Sequence, residues 1–296
     1  MTEHALQPVE FQLPHICLRG LSNQQTGKPI VLALHGWLDN ANSFVPISSY
    51  FEAYHFIALD WPGHGHSDHR PSGCDYQQLD YVDDLHQLIE DQGWQHVILL
   101  GHSMGGILST IYAAVFPERI VAIVSIDACG PLYGDKTIDT IRRGIEGRQQ
   151  RRARQKKAMA IPFGQLLEKR QAHTELPKSM VELLLKRSVK TQNDHNVTVQ
   201  SEVSWLTDER LRNSSLLRLT QTQARELMAG VDSPLLIIVA NQGLLAKRGT
   251  VAERLNWFKQ ANVENLDGGH HLHMQFSKQV FEKISKFLTE LPTRMA

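Results

Sequence analysis

The sequence predicts an α/β fold, a mostly parallel sheet covered by helices on both faces. Short apolar runs, typical of buried strands, alternate along the chain with amphipathic helical stretches. This alternation favours parallel pairing, because parallel strands need helical crossovers that pack on the sheet. A glycine-flanked serine directly after one apolar run predicts a sharp strand-to-helix turn. The 296 residues are enough for one large domain and an inserted subdomain.

Five apolar runs rich in Val, Ile and Leu are predicted as buried strands: Ile30–Leu34, His55–Leu59, Val97–Leu100, Ile120–Ile126 and Leu235–Ala240. Helical patterns follow them near Gln78–Gln92, Gly106–Phe116, Gly249–Gln260 and Phe276–Leu288. We expect the crossovers between these strands to be right-handed.

The alternation stops between Gly130 and about Gly230, where helix-like segments replace the apolar runs. These segments lie near Asp139–Met159, Phe163–His173 and Ser179–Lys190. We therefore predict an α/β core made of residues 1–130 and 231–296, with a helical cap at residues 131–230. The stretch Arg142–Lys157 is crowded with positive charge, which favours a solvated helix face and leaves open a patch for an acidic partner.

Composition points away from several classes of protein. Lysine plus arginine equal aspartate plus glutamate at 31 each, which gives no reason to expect nucleic acid as a partner. The first eight residues show neither a basic start nor an apolar run, so we expect no secretion signal, and no apolar run approaches the ~20 residues that span a bilayer. The three cysteines lack metal or redox spacing. We therefore expect a cytoplasmic protein without a transmembrane segment, cofactor or metal. Its oligomeric state cannot be read from the sequence.

The segment Gly101-His102-Ser103-Met104-Gly105 fits the pattern of a nucleophile elbow. In that turn the serine stands at the tip, between a strand and a helix, in a strained backbone conformation. Side chains at positions 101 and 105 would collide with the adjoining strand or helix. Ser103 is therefore the candidate nucleophile.

A serine hydroxyl needs a base to take its proton, and histidine usually serves. A last strand is expected beyond Leu235–Ala240 and ends near Leu266. After it the chain reads Gly268-Gly269-His270-His271-Leu272-His273. A loop there lies at the same sheet edge as Ser103. His270 directly follows the glycines and is the favoured base, with His271 as the alternative.

The acid that orients the histidine is expected from an unusual place. The loop Asn241–Arg248 follows the penultimate strand and contains no carboxylate, Asp232 precedes that strand, and Glu253 falls within a helix. Asp127 ends the strand after the predicted elbow helix, at the sheet edge where Ser103 is expected. We therefore predict Asp127 as the acid. The alternative is that it caps the strand and braces the cap hinge.

An oxyanion hole needs two N–H groups aimed at the developing negative charge. Met104 follows the nucleophile, and Trp37 follows a glycine just after the strand Ile30–Leu34. We predict their backbone N–H groups as the two donors. Trp37, His102 and Leu132 are the candidate substrate-binding side chains.

The string His64-Gly65-His66-Ser67-Asp68-His69 has the spacing of a binuclear zinc site. A zinc-dependent hydrolase is therefore an alternative. However, the string lies in a glycine–proline turn, and a zinc site would leave the serine motif unexplained.

Together these motifs resemble the α/β-hydrolase superfamily, in the order His35-Gly36-Trp37, Asp60-Trp61-Pro62-Gly63-His64-Gly65-His66-Ser67, Gly101–Gly106 and Gly269-His270. Closer similarity to serine hydrolase-like proteins lies in His35–Phe44, Gly130-Pro131-Leu132 and Gly268–His273. The resemblance implies an α/β-hydrolase fold, a mostly parallel sheet flanked by helices, with a helical cap inserted after the sixth strand. The missing acid after the penultimate strand departs from the commonest pattern.

These observations lead us to expect a serine hydrolase of the carboxylesterase or lipase type. Its partner would be a small-molecule ester of small or medium acyl chain, cleaved through an acyl-enzyme. Carbon–carbon bond hydrolysis by the same triad is an alternative, and so is a non-enzymatic binding module on this fold.

Overall fold

Eight of the strands form one central sheet. The computed structural model describes residues 6–153, 160–191, 197–249 and 251–291. The strands of this part of the chain are β1 (Gln7–Gln12), β2 (Cys17–Ser22), β3 (Ile30–Leu34), β4 (His55–Leu59), β5 (Val97–His102), β6 (Ile120–Ile126), β7 (Ile161–Pro162), β8 (Val189–Thr191), β9 (Glu202–Trp205), β10 (Leu235–Ala240) and β11 (Asn262–Leu266).

Helices connect most of these strands. They are α1 (Val45–Ser48), α2 (Gln78–Asp91), α3 (Met104–Val115), α4 (Thr137–Ala153), α5 (Phe163–Gln171), α6 (Lys178–Ser188), α7 (Gln221–Ala229), α8 (Leu244–Lys247), α9 (Val251–Leu255), α10 (Leu272–Gln275) and α11 (Ser277–Thr289). The predicted helix near Gly249–Gln260 is shorter than expected, since only α9 forms there.

The central sheet is mostly parallel, as predicted. Its strand order is β1-β2-β4-β3-β5-β6-β10-β11. Strand β2 pairs antiparallel with both β1 and β4, and every other pairing in this sheet is parallel. The carboxyl ends of β3, β5, β6, β10 and β11 therefore meet at one edge, where ligands bind in open α/β sheets.

Both faces of the sheet are buried. Along β3, Leu32 and Leu34 join a core beneath α2 and α3, whereas Val31 and Ala33 join a second core beneath α1 and α11. Alternate residues of a strand point to opposite faces, so a strand covered on both sides is apolar throughout. This packing explains why the continuous apolar runs were readable as strands.

The insertion between β6 and β10 is not purely helical, which corrects the sequence prediction. Besides α4, α5, α6 and α7 it contains a second sheet, in which β9 pairs antiparallel with β7 and β8. Phe163, Leu167 and Leu185 belong to a small separate core there. Of the basic stretch Arg142–Lys157, the part up to Ala153 lies on α4, where Gly144 is the buried residue. The remainder, residues 154–157, falls outside the described residues.

Within the described ranges, none of the helices combines the length and apolarity that crossing a membrane requires.

Candidate active site

Ser103 occupies the turn between β5 and α3. Its backbone has φ 51° and ψ −114°, a conformation that a residue with a side chain rarely adopts. Such strain persists only where the surroundings over-determine it, and it clusters at functional sites. The structure thus gives Ser103 the strained conformation expected of a nucleophile elbow.

Two glycines make this turn sterically possible. A Cβ on Gly105 would lie 1.8 Å from the Leu34 carbonyl oxygen of β3. A Cβ on Gly101 would lie 2.4 Å from the backbone of Gly105 at the start of α3. Since backbone atoms cannot step aside as a flexible side chain would, neither position accepts a larger residue.

We expect Gly105→Ala to destabilise the protein by about 3 kcal/mol, the upper range for overpacking a well-packed core. The matched control is Gly147→Ala in α4, where an added Cβ meets nothing within 4 Å. Alanine there removes a helix-interior glycine and should stabilise by up to ~1 kcal/mol. Urea unfolding of both variants checks the pair, and equal stabilities would contradict the steric role of Gly105.

The structure brings Asp127 and His270 together. His270 Nδ1 lies 2.5 Å from Asp127 Oδ2. The Asp127 side chain is fully buried, whereas that of His270 is 19% exposed. An acid on one ring nitrogen fixes the tautomer and frees the other nitrogen to act as a base.

Asp127 is held by the end of β10 and by the following loop, which has no carboxylate of its own. The backbone N–H of Leu244 donates to Asp127 Oδ2 at 2.9 Å, and that of Ala240 donates to Oδ1 at 3.4 Å. Asp127 itself has φ 47°, just beyond the end of β6. Strand β6 pairs with β10, so its carboxyl end lies beside the loop after β10. An acid at the end of β6 therefore reaches a histidine after β11.

Ser103 and His270 line the same cavity, which has a volume of about 550 Å³. Within the described residues, the hydrogen bonds of His270 include none to Ser103 Oγ. Such contacts are often long in ligand-free active sites and shorten when substrate binds.

The segments that carry the two predicted oxyanion-hole donors both lie next to Ser103. Met104 is the first residue of α3, so its N–H has no acceptor within the helix. The loop carrying Trp37 lies against the elbow, because a Cβ on Gly36 would be 3.2 Å from Ser103 Cβ. Trp37 and Met104 both line the cavity.

Two of the three predicted substrate-binding side chains line this cavity. Trp37 and Leu132 do, and the Trp37 indole Nε1 donates to the Leu211 carbonyl at 3.0 Å. His102 does not line the cavity, because it is the last residue of β5 and is buried. The expectation that it binds substrate is corrected accordingly. Its Nε2 lies 2.9 Å from the His270 carbonyl oxygen. His102 thus supports the backbone that carries His270.

His271, the alternative base, is engaged elsewhere. Its Nε2 lies 2.9 Å from Asp39 Oδ2, while Arg170 donates to Asp39 Oδ1 at 3.1 Å. Although burial alone would raise the pKa of Asp39, His271 and Arg170 hold it well below its usual range. His271 therefore belongs to a hydrogen-bonded network with Asp39 and Arg170 beside the cavity.

Asp39, His102 and His271 are the residues of the described chain best placed to hold a metal. Their ligand atoms all lie within 4.8 Å of one another. Burial, followed by the neighbouring histidines, lowers the pKa of His102 well below its usual range, so it is neutral at pH 7. Arg170 already supplies Asp39 with a positive charge.

The side chains of the histidine string considered for zinc bind separate partners. His64 Nδ1 lies 3.1 Å from the Pro62 carbonyl oxygen, and Asp68 pairs with Arg19 at 2.8 Å. His69 Nε2 lies 2.6 Å from the Leu206 carbonyl oxygen. No metal-ligating trio from this string converges in the part of the chain that the structure describes.

Sequence reasoning missed part of the cavity wall. Arg212, Arg218 and Arg248 line it, although they come from separate segments. Each is an ordinary surface arginine in its local sequence, so only the tertiary structure shows that they share one cavity. The N–H of Leu244 that binds Asp127 could not be predicted from the sequence either, because it belongs to the backbone.

Comparisons with known proteins agree with this fold. A family model described as the alpha/beta hydrolase fold matches residues 29–277. A serine hydrolase-like protein of Danio rerio is 30% identical over 277 residues, which cover 88% of this chain and 82% of that protein. Relatives with this name indicate a hydrolase.

Solved structures share the fold. A hypothetical protein of Pseudomonas aeruginosa PAO1 superimposes with a TM-score of 0.85 at 33% identity, covering 96% of this chain and 99% of that one. A thioesterase domain from the curacin biosynthetic pathway has a TM-score of 0.79 at 21% identity, covering 95% and 99%. The strained serine turn, the mostly parallel sheet and these matches lead to one conclusion: the chain belongs to the α/β-hydrolase family.

Proposed function

We propose that this protein is a serine hydrolase that cleaves carboxylic esters through an acyl-enzyme. Ser103 is the nucleophile, His270 the base and Asp127 the acid that orients it. The observation that carries the proposal is the hydrogen bond between His270 Nδ1 and the buried Asp127, on the wall of the cavity that Ser103 also lines.

The reaction divides into two acyl-transfer steps. Ser103 Oγ attacks the ester carbonyl while His270 Nε2 takes the hydroxyl proton, and the N–H groups of Trp37 and Met104 bind the oxyanion. Collapse of the intermediate breaks the bond to the alcohol, which leaves with the proton from His270. Water then attacks the acyl-enzyme with His270 again as base, which releases the carboxylic acid and restores Ser103.

The size and walls of the cavity support a small or medium acyl chain. Apolar side chains that include Trp37, Ile107, Leu132 and Leu245 line it. Contact with such side chains favours the acyl methylenes, each by about 0.8 kcal/mol when fully buried. We therefore assign this wall to the acyl group.

A fluorophosphonate probe tests the proposal, because it phosphonylates activated serines. We expect one adduct by intact mass, mapped by peptide analysis to Ser103. The adduct should vanish in Ser103→Ala and persist in Ser49→Ala, which removes an exposed serine at the end of α1. Folded protein that takes up no probe, or labels elsewhere, would refute the assignment.

A further inference from the structure

The cavity beside Ser103 is unusually rich in arginine. Four arginines line it, namely Arg212, Arg218, Arg248 and Arg254. Among its described lining residues the one carboxylate is Asp127, which is already bound to His270. The cavity wall therefore carries an excess of positive charge.

One of the four has a structural role. Arg254 is buried, and its guanidinium donates to the Cys129 and Pro131 carbonyl oxygens, with the Cys129 bond from Nε at 2.9 Å. It also packs over the rings of Tyr133 and Trp257. Its Nε and Nη2 groups bind these carbonyl oxygens, so Arg254 fixes the turn after β6.

The other three arginines are exposed and lack an acidic partner among the described residues. Arg212 ends a short helical turn that begins at Glu209, Arg218 precedes α7, and Arg248 follows α8. Two stretches of the chain, residues 212–218 and the end of α8, thus contribute exposed arginines to the wall of one cavity. We call Arg212, Arg218 and Arg248 the arginine rim.

Like charges also converge near Arg212. Partial desolvation, and after it the positive charges of Arg151 and Arg170, lower the pKa of Arg212. Arg151 reaches this segment by donating from Nε to Asn213 Oδ1 at 2.8 Å. An anion placed at the rim would relieve this repulsion and would be attracted by all three guanidinium groups.

We infer that the substrate carries an anionic group, a carboxylate or a phosphate, which the arginine rim binds while the apolar wall takes the acyl chain. This inference rests on the proposed function, since it assigns the substrate class of the same cavity. Arginine suits the task because its planar fork of N–H donors matches the oxygen pairs of carboxylate and phosphate.

A pair of esters of equal acyl length tests the carboxylate form. The p-nitrophenyl monoester of adipic acid carries a free carboxylate, and p-nitrophenyl hexanoate does not. We expect kcat/KM to be at least about tenfold higher for the adipate ester, mainly through a lower KM, because a hydrogen bond to a charged group contributes roughly this factor. Added salt should reduce the preference.

Variants of the rim make the test specific. Arg218→Gln and Arg248→Gln should each lower the ratio of the two kcat/KM values by about tenfold. The matched control is Arg143→Gln on α4, an exposed arginine that does not line the cavity, which should leave the ratio unchanged.

A second pair separates the two sources of negative charge. Hexanoyl-coenzyme A carries phosphates on the leaving group, and the hexanoyl thioester of N-acetylcysteamine is uncharged. The inference is supported if kcat/KM is higher for the anionic member of either pair and Arg248→Gln removes that difference. The pair that shows the difference then identifies the charged moiety. Equal kcat/KM within both pairs, or preferences that the rim variants leave intact, would overturn it.

The same data separate this inference from the proposal on which it rests. Turnover of p-nitrophenyl hexanoate through Ser103 without any anionic preference would reject the rim and keep the serine hydrolase. Absence of turnover on all four substrates, together with absence of a Ser103 adduct, would reject both.

Discussion

Asp127→Asn is expected to reduce kcat/KM for ester hydrolysis by about 10,000-fold while the protein stays folded. Asparagine keeps the shape of the side chain but loses the negative charge that faces His270 Nδ1 at 2.5 Å. Its amide can present an N–H to that ring nitrogen, which favours the tautomer with the proton on Nε2. His270 would then be unable to take the proton of Ser103.

The control is Glu253→Gln, which removes the carboxylate nearest in sequence to the customary position of the acid. Glu253 lies on α9, where its Oε1 is 3.4 Å from Gln221 Nε2. Steady-state kinetics should show nearly full activity for that variant, and circular dichroism should show both variants folded. Near-normal turnover by Asp127→Asn with loss of turnover in Glu253→Gln would mean that the acid is misassigned.

The position of this acid shows what the sequence could and could not supply. The loop Asn241–Arg248 contains no carboxylate, so the sequence alone pointed to the end of β6. That Leu244 donates its N–H to Asp127 depends on the conformation of the same loop. Contacts made by backbone groups have no signature in residue identity, so only the structure reveals them.

Strands were predictable where both faces are buried. Runs such as Ile30–Leu34 and Leu235–Ala240 are apolar throughout and match β3 and β10 residue for residue. The edge strands β1 and β11 are largely exposed, and their mixed composition does not indicate where each strand begins and ends. The small sheet in the insertion was missed because its strands have only two to four residues each.

The histidines after β11 show the same limit at the candidate site. His270 and His271 are adjacent, and residue type cannot separate them. The loop turns so that His270 meets Asp127 and His271 meets Asp39. His102 was a candidate substrate-binding residue, but β5 continues past the predicted strand end at Leu100 to His102, which is buried.

Four buried histidines give a second large expected effect, on the pH dependence of stability. They are His35, His64, His102 and His273, all fully buried. Desolvation is the first cause of a lowered pKa in each of them, and it lowers the pKa of His64 to about 3. In the unfolded chain their imidazoles titrate near the ordinary value of about 6.5.

The sign follows from proton counting. Below pH ~6.5 the unfolded chain binds more protons at these four positions than the folded protein does, so acid favours unfolding. Each histidine that stays neutral when folded lowers the free energy of unfolding by about 1.4 kcal/mol per pH unit below that value. Four such histidines together set an upper bound of about 5 kcal/mol per pH unit, comparable with the whole stability of many domains. Their contribution is fully present above pH ~6.5 and is lost as pH falls toward each folded pKa.

Urea unfolding between pH 7.5 and 5 measures this loss, and His273→Leu tests its origin. Among the described residues neither ring nitrogen of His273 has a hydrogen-bond partner, so an apolar side chain is expected to be tolerated there. In this variant the free energy of unfolding should fall less steeply with decreasing pH, by about 1.4 kcal/mol per pH unit, because one proton fewer is bound on unfolding. The matched control is Phe44→Leu, since the Phe44 ring packs 5.2 Å from that of His273 and does not titrate. It should lower stability equally at every pH. A stability that is flat from pH 7 to 5.5, or an unchanged slope in His273→Leu, would show that these histidines accept protons in the folded protein.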